Sequence, residues 1–266
     1  MATCFPSRPT AGTPLAEIKV FEALAKLRAW AGALLAPEAK RLGYASRPGA
    51  EPRDDVERRA ALLRGMARVA RDPAAISAAR ELADREAHDP ASVDTTLAGP
   101  AVNLAARLGD TTRHAHHLAI YDARRAAGAP PALAQRYLHS LALFEDPVVL
   151  ARTTRLMTEG RFPLEALGPM LRTRLGEPHA RVAAWAHMKT HWKDVRERLG
   201  DMWTGFLVDH TGQLPARLRE DVVRFYDENL HGVAQQSYAR AIEAMDARAE
   251  FEARAVPELI VWLKAR

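Results

Sequence analysis

The stretch Ala106-Arg107-Leu108-Gly109-Asp110-Thr111 decides the fold, because one helix ends in it and the next begins within two residues. Glycine after a periodic apolar run ends helices readily, since it adopts a left-handed backbone conformation at no steric cost. Aspartate before the following run accepts hydrogen bonds from the first free N–H groups of a new helix. Such short links are typical of antiparallel neighbours in all-α proteins.

The same start and stop signals recur along the chain. In three Asp-Pro pairs, which begin at Asp72, Asp89 and Asp146, the aspartate is expected to cap a helix that starts with proline. Helix-ending glycines in the left-handed conformation are predicted at Gly43, Gly109, Gly128, Gly160, Gly176 and Gly200. Together the signals predict helices near 16–35, 52–71, 73–87, 99–108, 111–127, 130–143, 147–159, 164–175, 178–199, 201–209, 215–229, 232–249 and 252–265.

Composition agrees with an all-α fold. The chain has 266 residues, of which 48% are hydrophobic, and this is enough for a sizeable core. Helix formers dominate, and no stretch alternates apolar and polar residues as a half-buried strand does. About forty residues per helix pair is the spacing of HEAT-like repeats. We therefore expect a HEAT-like stack of antiparallel helix pairs, curved into an α-superhelix, over residues 15–266, after a disordered leader over residues 1–14.

Charge and cysteine content argue against several classes of protein. The net charge is +5, and the 38 basic and 33 acidic residues are interspersed, whereas a nucleic-acid footprint needs basic residues clustered on one face. Cys4 is the one cysteine, which rules out an intrachain disulfide and a thiolate-rich metal site. No apolar run approaches the ~18 residues of a membrane span. We expect a cytoplasmic protein that binds neither nucleic acid nor membrane.

Two groups of histidines have a spacing that can bind a metal. His187 and His191 lie four residues apart, as the zinc ligands of HExxH do, but Met188 stands where that motif has its essential glutamate. His114 and His117 share a helix face, yet no carboxylate or cysteine converges on them in the sequence. The chain also lacks a Gly-x-Ser-x-Gly elbow and a phosphate-binding loop. We assign no catalytic, cofactor-binding or metal-binding residue.

The last third of the chain carries aromatic residues in an informative order. An apolar stripe at helical spacing indicates one buried helix face and comprises Trp185, Met188, Trp192, Val195 and Leu199. Trp185 and Trp192 also complete a pattern W-x-x-x-K-x-x-W with Lys189. Three further features follow in order: the pair Phe225-Tyr226, a segment from Gln236 to Glu243, and the pair Trp262-Leu263.

This order resembles the C-terminal domain of the family M1 zinc aminopeptidases, which include aminopeptidase N and the endoplasmic-reticulum aminopeptidases. The N-terminal half is similar too. A helix ends in Leu42-Gly43, an acidic loop follows from Glu51 to Asp55, and the next helix contains Leu63-Arg64. The segment from Ala106 to Asp110 resembles the family's junction before a helix that contains an aromatic residue, here Tyr121. The resemblance spans residues 20 to 265. Gly205-Phe206 departs from the pattern, because several members carry Gly-Arg there and their arginine faces the substrate cavity.

The resemblance implies a non-catalytic cap that closes over an M1 catalytic domain, in cis or in trans, and contacts the peptide substrate. Neither HExxH nor the Gly-x-Met-Glu-Asn segment of that catalytic domain occurs here, so zinc is expected only in the associated catalytic domain. Two alternatives remain open. One is a free-standing HEAT-like scaffold that binds another protein, and the other is a helical-repeat nucleic-acid binder.

Overall fold

A computed structural model describes residues 15–45, 49, 51–230 and 234–265. The protein is 84% helical, and these residues contain no strand, which confirms the all-α prediction. The HEAT-like stacking stays a prediction, and the predicted leader over residues 1–14 lies outside the described residues. The α-helices are α1 Leu15–Leu42, α2 Arg53–Arg64, α3 Pro73–His88, α4 Thr95–Arg107, α5 Thr111–Ala126, α6 Pro131–Ser140, α7 Pro147–Thr158, α8 Leu164–Gly176, α9 Arg181–Thr190, α10 Trp192–His210, α11 Arg219–Asn229 and α12 Gln235–Lys264.

Aspartate caps begin several helices as the sequence predicts. The Asp110 carboxylate accepts a hydrogen bond of 2.9 Å from Arg113 N at the start of α5. Asp72 accepts from Ala75 N at 2.8 Å, with proline as the first residue of α3. Asp146 caps α7 in the same way. Asp89 also accepts a backbone bond, but it begins only the 3-10 turn Pro90–Ser92, and α4 starts after a separate cap.

The glycine stops are confirmed at some positions and wrong at others. Gly43, Gly128 and Gly160 have φ between 62° and 71° and follow the ends of their helices, whereas Gly200, with φ 71° and ψ 179°, marks a kink inside α10. Gly109 and Gly176 do not have a positive φ, so the prediction is wrong for them. Gly109 is instead required by close packing, because a Cβ there would lie 2.8 Å from the Ala105 carbonyl oxygen. Gly176 is the last residue of α8.

Helix boundaries differ from the prediction in several regions, and α1, predicted to end at residue 35, runs to Leu42. The segment predicted as 52–71 contains α2 followed by a π-helical stretch, Gly65–Ala70, and ends at Arg71 with φ 58°. The helix predicted over 178–199 is broken at His191, and α10 then continues past a kink at Gly200. The two helices predicted over 232–249 and 252–265 form the single helix α12.

The described residues fall into two compact units, one up to Val149 and one from Leu150 onwards. In the first unit, α3 packs on α4, α4 on α2 and α6, and α5 on α6, around a core of small and aliphatic side chains. Leu63, Leu97 and Ala101 are fully buried there. The π-helical stretch lies against α1, and a Cβ on Gly65 would lie 2.7 Å from Leu35 Cδ1.

In the second unit, α10 packs against α8 and α12, and α9 packs against α8. The buried residues of α12 are Ser237, Ala241 and Met245, which stand at helical spacing, and Leu263 near its end. Beyond Met245 the helix exposes large apolar side chains, among them Phe251 and Val261. No described helix is long and apolar enough to cross a membrane.

Candidate functional site

The W-x-x-x-K-x-x-W segment forms a frame with α11 that is built around the carboxylate of Asp221. Trp185 Nε1 donates to Asp221 Oδ2 at 2.7 Å, and Lys189 Nζ donates to the same oxygen at 2.5 Å. Arg224 Nη2 donates to the other oxygen at 3.3 Å. Burial opposes ionisation of Asp221, but the hydrogen bonds from Lys189 and Trp185 outweigh it and lower the pKa of the carboxyl. This charged centre joins α9 to α11.

The aromatic side of the frame packs Trp185 and Trp192 against the neighbouring pair Phe225 and Tyr226. The ring of Phe225 lies 5.2 Å from Trp185 and 5.5 Å from Trp192, edge to face in both cases. Tyr226 lies 5.5 Å from Trp185 and is 1% exposed. Edge-to-face pairs stabilise the fold beyond the burial of their surface. The two tryptophans and the Phe-Tyr pair, which stand apart in the sequence, therefore form one structural unit.

The far end of the frame is fixed to the carboxyl end of α11. Trp192 Nε1 and Arg196 Nη1 each donate to the Asn229 carbonyl oxygen at 3.4 Å. Carbonyls in the last turn of a helix lack partners within the helix, so these side chains satisfy one of them. An open groove of about 560 Å³ follows the same surface and is lined by Trp192, Lys193, Arg196, Glu197, Asp201, Glu228 and Asn229.

A second groove, of about 1100 Å³, lies in the first unit and runs along α3 and the start of α5. We call it the α3–α5 groove. Arg113 forms an ion pair across it with Asp84, and Arg80 Nη2 donates to the Leu108 carbonyl at 2.8 Å. The charged and histidine residues on its walls are Arg80, Asp84, His88, Asp110, Arg113 and His116. The walls of the groove therefore carry both hydrogen-bond donors and acceptors.

Comparison with known proteins identifies the family. Residues 15–247 match the family model described as the ERAP1-like C-terminal domain. The chain belongs to this family. The match confirms the resemblance drawn from the sequence, namely a C-terminal domain of M1 aminopeptidases, and membership implies association with a catalytic domain. Among curated proteins, no sequence matches the chain.

In this ERAP1-like domain, the pair His187 and His191 lies beside a small cavity. Their rings are 4.6 Å apart, and burial, with the neighbouring His191 and Arg174, lowers the pKa of His187 to about 4. Met188 is fully buried in the core. In the part of the chain that the structure describes, no three histidine, cysteine, aspartate or glutamate side chains converge as a metal site requires.

His114 and His117 of α5 are packing residues of the first unit. His117 Nδ1 lies 2.7 Å from the Ser140 hydroxyl, and its ring contacts those of Tyr137 and Phe144. Burial lowers the pKa of His117 to about 3, so the ring is neutral at pH 7. His114 is also buried, with its ring 5.3 Å from Phe144. The shared face seen in the sequence is therefore a core face.

Sequence reasoning missed a buried charge network in the ERAP1-like domain. Glu86 is fully buried, and Arg124 Nη1 donates to it at 3.0 Å, while Arg136 forms a second ion pair with it. The Tyr137 hydroxyl donates to Glu86 Oε2 at 2.5 Å. One feature of the sequence distinguishes Glu86 from an exposed glutamate. It stands seven residues after Ala79 and four after Leu82, on the same face of α3 as these two buried residues. The network joins α3, α5 and α6.

Proposed function

We propose that the ERAP1-like domain is the non-catalytic C-terminal domain of an M1-type zinc aminopeptidase, where it caps the active-site cavity and contacts peptide substrate. The observation that carries the proposal is the family match over residues 15–247. The sequence supports it, because the chain holds the C-terminal features of the family and none of the zinc-binding motif. Zinc and the general base belong to the associated catalytic domain, in which the metal polarises the peptide carbonyl and activates water.

The α3–α5 groove is our candidate for the contact with peptide. Its volume of about 1100 Å³ is at the upper end of ligand pockets, which run to roughly 1,000 Å³. Arg80 and Arg113 provide guanidinium donors for peptide carbonyls and carboxylates, whereas Asp84 and Asp110 suit amines. A groove with both kinds of group favours main-chain recognition over one type of side chain. Such contacts would act on the distal part of a substrate rather than on the residue that is cleaved.

The test needs the catalytic domain that works with this chain, and the first place to look is an HExxH-containing reading frame fused to it or encoded immediately upstream. The rate constant kcat/KM is then measured for a series of peptides of increasing length and for an aminoacyl coumarylamide, with and without this domain. We expect the domain to change the ratio between long and short peptides several-fold and to change the rate on the coumarylamide much less.

A matched pair of variants locates the contact. Arg113→Ala removes a guanidinium from the α3–α5 groove, while Arg53→Ala removes an exposed arginine whose ion pair with Glu57 lies elsewhere on the surface. Only Arg113→Ala should reduce the dependence of kcat/KM on peptide length. Equal length dependence with and without the domain would contradict the capping role. Recovery of a reproducible unrelated partner, and of no peptidase, would favour the scaffold alternative instead.

A further inference from the structure

Arg174 is a buried cation with no acidic partner among the residues that the structure describes. Its side chain lies on α8 and is 2% exposed. Arg174 Nη2 donates to the Leu150 carbonyl at 3.1 Å, Nη1 lies 3.8 Å from Met157 Sδ, and Nε has no hydrogen-bond partner. No carboxylate among the described residues bonds to the guanidinium or shifts its pKa, which burial alone lowers to about 10.

Two other buried arginines in the chain show the usual arrangement. Arg59 is bonded to Glu51 through both terminal nitrogens, and Arg124 is bonded to Glu86. Removing a guanidinium from water costs several kcal/mol unless an opposite charge and hydrogen bonds compensate for it. A guanidinium does not avoid this cost by losing its proton at neutral pH. Arg174 therefore requires a negative charge that the surrounding side chains do not supply.

Met157, whose sulfur contacts Arg174 Nη1, also lines a small cavity, and Arg174 itself is not among the residues of its walls. Its volume is about 30 Å³, where roughly 10–15 Å³ is enough to hold one water molecule. Its walls are Met157, Thr158, Leu167, His187, His191, Asp194, Val195 and Arg198. Arg198 contributes a positive charge, the two histidines contribute N–H donors, and Asp194 contributes the one negative charge on these walls. Methionine is unbranched and flexible, so Met157 is able to turn aside from the guanidinium.

We propose that a small monovalent anion of the size of chloride binds in this cavity, beside Met157, and supplies the counter-charge of Arg174. The anion would accept hydrogen bonds from Arg174 Nη1, in place of the weak contact with the methionine sulfur, and from His187. The size of the cavity favours a monatomic anion over sulfate, phosphate or a peptide carboxylate. This site is independent of the proposed capping function, because it needs neither a catalytic domain nor a substrate.

Thermal unfolding of the full chain tests the site. Sodium chloride is compared with sodium gluconate at equal ionic strength, since gluconate is too large for the cavity. We expect chloride to raise Tm by about 2–8 °C in a saturable manner. Arg174→Met should abolish this response, and Arg172→Met, at an exposed position of the same helix, should retain it. Equal Tm values in the two salts for the unmodified chain, or loss of the response in both variants, would overturn the proposal.

A second measurement uses only the unmodified chain, in case Arg174→Met does not fold. The chloride NMR signal should broaden in the presence of the protein, and bromide should reverse the broadening with saturation. The anion should also raise the pKa of His187 from about 4, because it offsets the repulsion by Arg174. Broadening that bromide does not reverse, or a His187 titration that is the same in chloride and gluconate, would contradict the site.

Discussion

Lys189 and Asp221 form an ion pair of 2.5 Å between α9 and α11, and Trp185 donates to the same carboxylate oxygen. The ammonium group also lies 5.3 Å from the centre of the Trp185 ring, within the range of a cation–π contact. The lysine of the W-x-x-x-K-x-x-W pattern is therefore a structural residue of the second unit. Its role is to hold the two tryptophans against the Phe225-Tyr226 pair.

Neutralising this carboxylate should destabilise the second unit. Asp221→Asn keeps the size of the side chain but leaves Lys189 without its ionic partner, at a cost of about 1–3 kcal/mol in the free energy of unfolding. Urea unfolding measures the change, and Glu220→Gln, an exposed neighbour on the same helix, serves as the control. A change no larger than that of Glu220→Gln would show that the ion pair contributes nothing to stability.

The pH dependence of the same pair has a definite sign. The folded-state pKa of Asp221 is lowered below its ordinary value of 3.8, so the folded protein holds fewer protons on this group than the unfolded chain does. Its contribution to stability is complete above pH 3.8 and disappears as pH falls through the folded pKa. Asp221→Asn should therefore reduce the difference in unfolding free energy between pH 5 and pH 3. An equal acid dependence in both proteins would contradict this assignment.

Trp192 should contribute much more to stability than an exposed aromatic residue of the same helix. Trp192 is 7% exposed and contacts both Phe225 and Tyr226, so truncation to alanine should cost about 3–5 kcal/mol. Phe206 lies on the same helix and is 49% exposed, and Phe206→Ala should cost far less. Chemical unfolding monitored by circular dichroism compares the two. A Trp192→Ala midpoint equal to that of Phe206→Ala would mean that the aromatic packing is not formed in solution.

Local signals in the sequence predicted most of the fold, because they act within a few residues. The Asp72, Asp110 and Asp146 caps are bonded to backbone N–H groups two or three residues ahead, and this bonding is decided by neighbours along the chain. The break at His191 was missed, since neither glycine nor proline stands there. The Thr190 hydroxyl donates to the Ala186 carbonyl at 3.0 Å, and such bonds bend helices without a recognisable stop signal.

The candidate site was predicted only in part, because its main contacts join distant segments. The apolar stripe correctly placed Trp185, Met188 and Trp192 in the core. The partner carboxylate, Asp221, stands 36 residues beyond Trp185, and no local pattern in the sequence joins the two. Likewise, Arg174 resembles any other arginine of α8 in sequence, and only packing against Leu150 and Met157 shows that it is buried.

Acid should destabilise the first unit through His117. Burial, the largest cause, lowers the pKa of His117 from 6.5 to about 3, so the unfolded chain binds this proton first as pH falls. Stability should fall with decreasing pH below 6.5, by at most about 1.4 kcal/mol per pH unit for this one group, until the folded pKa is reached. His117→Gln should flatten that dependence, whereas His88→Gln, for which no core role is seen, should not. Unfolding free energies measured from pH 7 to pH 4 provide the comparison.

The purified chain should neither hold stoichiometric zinc nor hydrolyse aminoacyl anilides or coumarylamides above background. Peptide hydrolysis by a zinc aminopeptidase requires a metal that polarises the carbonyl and a glutamate that takes a proton from water. At the one histidine pair with the HExxH spacing, Met188 replaces that glutamate, and its side chain is fully buried. Lys189 is engaged by Asp221, and Lys193 adds another positive charge on the next helix, where it would repel a dication. Elemental analysis and assays with and without added zinc provide the measurement. One equivalent of zinc, together with activity that His187→Ala abolishes, would reverse the assignment of this domain as non-catalytic.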